Sequence, residues 1–152
     1  MIFFGNRKII LIIIIFCSFF NNESFSIENK IIIKVDNDII TSLDIENEIN
    51  YLKTLNKQFQ NLDYETIYIA AKNSLIRETI KKKEISKYVK EIKIDESYLD
   101  ELVKQTFMRI GIKSKKDFYN YVKANNLELN IINHKLTIEA LWNQLIFSKY
   151  SD

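Results

Sequence analysis

The sequence predicts a mainly α-helical domain that begins with a small β-hairpin and continues through about five helices. Three observations carry that expectation. Proline is absent and the only glycine besides Gly5 is Gly111, so the tight turns that sandwiches and barrels need lack their usual residues. A single pair of short β-branched runs flanks a turn cluster. The rest of the chain carries apolar residues at helical spacing, most of them behind residues that cap helices.

The first residues read differently. Arg7 and Lys8 precede an apolar run over 9–16 that continues through Cys17 and Ser18 to Phe19 and Phe20. A basic start followed by an apolar stretch of this length is the pattern of a secretory signal peptide. The polar stretch 21–26 ends in Ser24-Phe25-Ser26, with small residues where a signal peptidase inspects. The cut is therefore expected before Ile27, leaving one domain over 27–152. The run is a few residues short of the roughly 18 that argue for a spanning helix, and an uncleaved membrane anchor is the alternative. Lipidation at Cys17 would need small residues ahead of it, and Ile15 and Phe16 stand there instead.

The chain's 22 Lys and Arg nearly balance its 20 Asp and Glu. The leader takes away Arg7, Lys8 and Glu23, which leaves a net charge of +1 and nothing that calls for nucleic acid. Cys17, the single cysteine, lies in the leader. The domain must then be held by an apolar core rather than by disulfides.

Along the domain, Ile31-Ile32-Ile33-Lys34-Val35, the turn cluster Asp36-Asn37-Asp38 and Ile39-Ile40-Thr41 read as two strands around a tight turn. Thr41 or Ser42 caps a first helix to about residue 56, with Asp44 completing a capping box and Leu43, Ile45, Ile49 and Leu52 on the buried side. After a polar break at 57–62, Asp63 caps a longer second helix to about residue 89, with Ile69, Leu75, Ile76 and Ile80 facing the core. Asp95 opens a third helix with Leu99, Leu102, Val103 and Ile110 on one face and Gly111 at the left-handed C-terminal cap. Ser114 with Asp117 marks a fourth, carrying Phe118 and Val122 and ending at Asn125-Asn126. The last, about 128–149, repeats Leu127, Ile131, His134, Ile138, Leu141 and Leu145 at steps of four and three, widened by Leu129, Ile132, Leu136, Trp142 and Ile146.

Catalytic chemistry finds few footholds. His134 is the only histidine and no thiolate accompanies it, so a metal site lacks ligands and a nucleophilic triad lacks partners. Ser97 and Ser114 sit where capping explains them. Glu46 with Glu48 and Asp95 with Glu96 read as solvated carboxylates, and Lys81-Lys82-Lys83 as a solvated face in which Glu78 precedes Lys82 by four. Phosphate-cradling loops need more glycine than is present. No cofactor, metal or small-molecule substrate is implied. What stands out is the aromatic content. Phe118, Tyr119 and Tyr121 crowd one helix, and adjacent helical positions diverge by about 100°, so at least one of the three must leave the core. These three are the candidate peptide-binding residues. Tyr51, Tyr64, Tyr68 and Tyr98 sit near helix starts or polar faces and could add to an apolar groove that accepts segments of other chains.

The segment Ile33-Lys34-Val35-Asp36-Asn37-Asp38-Ile39-Ile40-Thr41-Ser42-Leu43-Asp44-Ile45, just behind a signal peptide, resembles the opening of the N-terminal domain of the SurA family of periplasmic chaperones. The resemblance continues through Leu75-Ile76 and Ile80 to Ile94-Asp95-Glu96-Ser97-Tyr98-Leu99-Asp100 and the long last helix, over nearly all of residues 31–148. It implies a helical, trigger-factor-like domain that binds unfolded outer-membrane proteins in the periplasm of a Gram-negative bacterium and delivers them for insertion. Relatives couple this domain to parvulin-type peptidyl-prolyl isomerase modules, which would need on the order of another domain's length beyond Asp152. A stand-alone chaperone module, the N-terminal part of such an isomerase, and an adaptor tethered by an uncleaved leader are the readings that follow.

Overall fold

The computed structural model describes residues 29–151, so the expected leader and cleavage site lie outside the described residues. Strands β1 (Ile31–Val35) and β2 (Asp38–Thr41) pair antiparallel, with Ile33 opposite Ile40 and an irregularity between Ile31 and Ile33. Asp36 turns the chain with φ of 54°, a left-handed value that Asp tolerates better than a β-branched residue does. Alternation then decides the faces: Ile40 is buried and Ile33 and Val35 half-buried, while Ile31 and Ile39 stay exposed. A lone two-stranded hairpin is marginal in water. Here it lies on two helices and is fastened by Lys83, whose ammonium donates to the Val35 carbonyl at 3.0 Å and pairs with Asp36 and Asp38 at 3.1 Å.

Five helices follow: α1 (Ser42–Leu55), α2 (Tyr64–Ile85), α3 (Glu96–Arg109), α4 (Lys115–Ala124) and α5 (Leu129–Tyr150), with a 3-10 turn at Lys57–Phe59 between the first two. Four begin at the expected caps. Thr41 accepts from the Asp44 amide while Asp44 accepts from the Thr41 amide at 2.7 Å, a reciprocal capping box. Asp63, Asp95 and Ser114 accept from amides in the first turns of α2, α3 and α4. Two helices end in the same left-handed motif. Gly111, at φ of 90°, lets the Ile112 amide reach the Phe107 carbonyl, and Asn126, at 52°, lets the Leu127 amide reach that of Val122.

The apolar side chains gather in three clusters. Ile40, Ile45, Ile49, Ile67 and Ala71 join the hairpin to α1 and α2. Leu55, Val103, Phe107, Ile110, Phe118, Val122, Leu127 and Ile132 join the end of α1 to α3, α4 and the start of α5. Ile85, Ile138 and Leu141 join α2 to the second half of α5, with Val89, Ile92 and Ile94 packed against them.

Several expected core positions turn outward. Leu43, Ile69 and Ile80 are exposed, and α2 buries Ile67, Ala71 and Ile85 instead. On α5, Ile131, His134 and Ile146 are exposed while Ile132, Thr137 and Ala140 are buried beside Ile138 and Leu141. Both helices are apolar on more than one side, so the pattern fixes the helix but not its rotation. Helix α2 also stops at Ile85 rather than near 89. Ser86 turns its hydroxyl back onto the Lys82 carbonyl, and the freed segment carries Val89 into the third cluster.

Candidate functional site

The three aromatic residues predicted to contact another chain do not share a surface. Phe118 is 0% exposed, packed against Phe107 at 5.7 Å between ring centroids, and belongs to the core. Its assignment as a contact residue is therefore corrected. Tyr119 is exposed beside the Lys115 ammonium, 5.8 Å from its ring centroid. Tyr121 is half-buried and donates its hydroxyl to the Thr54 carbonyl at 2.9 Å, which locks α4 to α1. With about 100° between neighbours on a helix, α4 spends one ring on packing, one on a tether and one on solvent.

Charge is buried where solvation was expected. Glu48 is 2% exposed, and the Lys135 ammonium lies 2.7 Å from its Oε2 and also pairs with Glu78. Lys135 also stands 4.9 Å from the centroid of the Tyr51 ring. Burial pulls the Lys135 ammonium down, but the two carboxylates outweigh it and hold its pKa above the ordinary lysine value. Burial pushes the Tyr51 phenol up to about 12. The partner of Glu78 is thus Lys135 on α5 and not Lys82 on its own helix. The triad joins α1, α2 and α5 at one point. Glu48 Oε1 has no hydrogen-bond partner, and such a group is costly in a dry site. Replacing a whole network of this kind by apolar residues is often neutral, whereas removing one partner strands the others.

The apolar surface that remains lies on the last turns of α5 and the end of α2. Ile85, Tyr88, Val89, Leu141, Leu145 and Ser148 line a depression of about 280 Å³ with little polar lining. A second, of about 250 Å³, shares Leu145 and is walled by Ile80, Trp142, Ile146 and Tyr150. Phe147, 72% exposed, and Tyr150, 75% exposed, stand on the same stretch of helix. Across the mouth, Lys149 donates to the Tyr88 hydroxyl at 2.6 Å and stacks 4.3 Å from its ring centroid. The Tyr88 bond holds the Lys149 ammonium above its usual pKa, and Lys87 with Lys149 holds the Glu84 carboxyl below its own. The groove is therefore apolar inside and rimmed by charges that already have partners. It was not singled out from the sequence, although Tyr150 outside the expected stripe was a signal for it.

Among the described residues, no three His, Cys, Asp or Glu side chains converge as a metal site. No helix among them is long and apolar enough to cross a membrane. Comparison with family models, curated proteins and solved structures returns no match for this chain.

Proposed function

We propose that the chain is an ATP-independent chaperone of the periplasm, a holdase that keeps unfolded outer-membrane proteins from aggregating and assists their assembly. The observation that carries this reading is the double groove along α5, with Tyr150, Ile146, Ile80 and Tyr88 exposed around it. Scattered single apolar residues are ordinary on a protein surface, whereas a contiguous group of large ones marks a place where other chains bind. Two shallow, adjoining depressions suit an extended segment of alternating apolar residues better than a compact ligand. The resemblance of the hairpin and of the α3 entry to the SurA family supports the same reading, and the leader 1–26 supplies the route to the compartment. Client contacts are assigned to the groove and to Tyr119, with Phe118 and Tyr121 holding α4 in place.

The test is light scattering of a denatured outer-membrane β-barrel protein diluted into buffer with the purified chain and no nucleotide. Several-fold excess of the chain is expected to suppress aggregation, and Ile146→Ser with Tyr150→Ser to remove most of that effect while leaving the helical circular dichroism unchanged. Absence of suppression by the unaltered chain would refute the proposal.

A further inference from the structure

A different cavity, of about 430 Å³, lies at the carboxyl ends of α1 and α3 and is lined by Tyr51, Leu52, Leu55, Asn56, Lys57, Gln58, Arg109 and Ile110. Its volume falls at the lower end of the range for small-molecule sites, about 300–1,000 Å³. Two features set it apart. No acidic residue lines it, and the Lys57 and Arg109 side chains enter no ion pair or hydrogen bond among the described residues. The two cations belong to the same corner. A Cβ added to Gly111 would lie 3.7 Å from Lys57 Nζ, which places the ammonium over the turn that follows Arg109, and the Arg109 charge acts on the Tyr51 phenol.

The carboxyl end of a helix attracts cations, but the partial charges of the two ends that meet here, at Leu55 and Arg109, amount to about one elementary charge together. Two full positive charges exceed it, so the corner keeps an excess positive potential. Beside it lies an apolar floor made by Leu52, Leu55, Ile110 and the Tyr51 ring. Asn56 is already engaged, its Oδ1 by the Gln58 amide and its backbone N–H by the Leu52 carbonyl. The Leu52, Leu55 and Ile110 side chains of that floor offer no hydrogen bond, so a body without hydrogen-bonding groups loses nothing against them.

We infer that this cavity binds an unbranched acyl carboxylate, with its head between Lys57 and Arg109 and its chain on Leu52, Leu55 and Ile110. The inference does not rest on the chaperone reading, because the cavity and the α5 groove are lined by different residues.

Decanoate titrated into the full chain, followed by calorimetry and by amide and methyl NMR shifts, tests it. Saturable binding of one decanoate is expected, with shifts centred on Leu52, Leu55 and Ile110. Decyltrimethylammonium, which has the same tail and the opposite charge, and acetate, which has the charge alone, are expected not to bind at the same concentration. Lys57→Gln with Arg109→Gln is expected to weaken decanoate about tenfold or more, the scale of losing a charge-assisted hydrogen bond. If that double variant loses its helical circular dichroism, Lys57→Gln alone serves, with weakening in the same direction. Equal binding of both amphiphiles, unchanged affinity in the variant that folds, shifts confined to Leu141 and Leu145, or no saturable binding would each overturn the assignment.

Discussion

Replacing Lys135 by Met removes the cation that stands between Glu48 and Glu78 and keeps most of its apolar stem. Glu78 can turn toward water, since a quarter of its side chain is already accessible, but Glu48, 2% exposed on the inner face of α1, has nowhere to go. Stranding one member of a buried ion pair costs about 3–5 kcal/mol, which is a large part of the 5–15 kcal/mol typical of a small domain's stability. Equilibrium urea unfolding followed at 222 nm reads this directly as a lowered midpoint. The penalty carries a second signature. Protonation relieves a stranded carboxylate, so acidification from neutral pH toward pH 5 is expected to restore up to about 1.4 kcal/mol per pH unit in Lys135→Met relative to the parent. Changing Glu48 to Leu in the same molecule removes the stranded charge, and the double variant is expected within about 1–2 kcal/mol of the parent. A single variant that loses less than about 1 kcal/mol with no pH dependence would refute the burial of Glu48 against Lys135.

The raised Tyr51 pKa has a sign that can be checked at high pH. Folding favours the neutral phenol, so its contribution is complete below pH 10 and disappears between pH 10 and about 12, a loss of about 2–3 kcal/mol that Tyr51→Phe should not show in alkaline unfolding curves. Lys135, also held above its ordinary value, acts in the same direction as pH rises. Leu141→Ala, at the centre of the third cluster, is expected to cost about 2–5 kcal/mol in a urea titration. Gly111→Ala places a side chain at φ of 90° and is expected to lower stability by about 1–2 kcal/mol, although Lys57 leaves room for the added methyl.

Local chemistry was legible in the sequence and rotation was not. The hairpin and the caps at Thr41, Asp63, Asp95 and Ser114 depend on residues within three or four positions of one another, and each stands where it was expected. Which face of α2 or α5 is buried depends on partners far along the chain. In a sequence this rich in isoleucine, Ile69 and Ile80 satisfy the helical period as well as Ile67 and Ile85 do. The buried triad was hidden for a related reason. Glu48 reads as a solvated carboxylate until the fold brings α1 and α5 together and sets Lys135 against it. Of the aromatic residues on α4, the sequence showed only that they must diverge, and Phe118 proved to be the one that faces inward.

Helix α5 gives Ile132 to the cluster shared with α3 and α4, and Ile138 and Leu141 to the one shared with α2. The hairpin cluster takes all of its buried members from residues that precede α3. Synthesis is vectorial, so a nascent chain can close that first cluster while Phe118 and Ile85 still lack the neighbours that seal them. Emergence of the final 22-residue helix then completes both remaining clusters in a single event. A chain that stops short of Leu129 should therefore keep the hairpin cluster closed and leave the same two patches uncovered, one around Phe118 and one around Ile85.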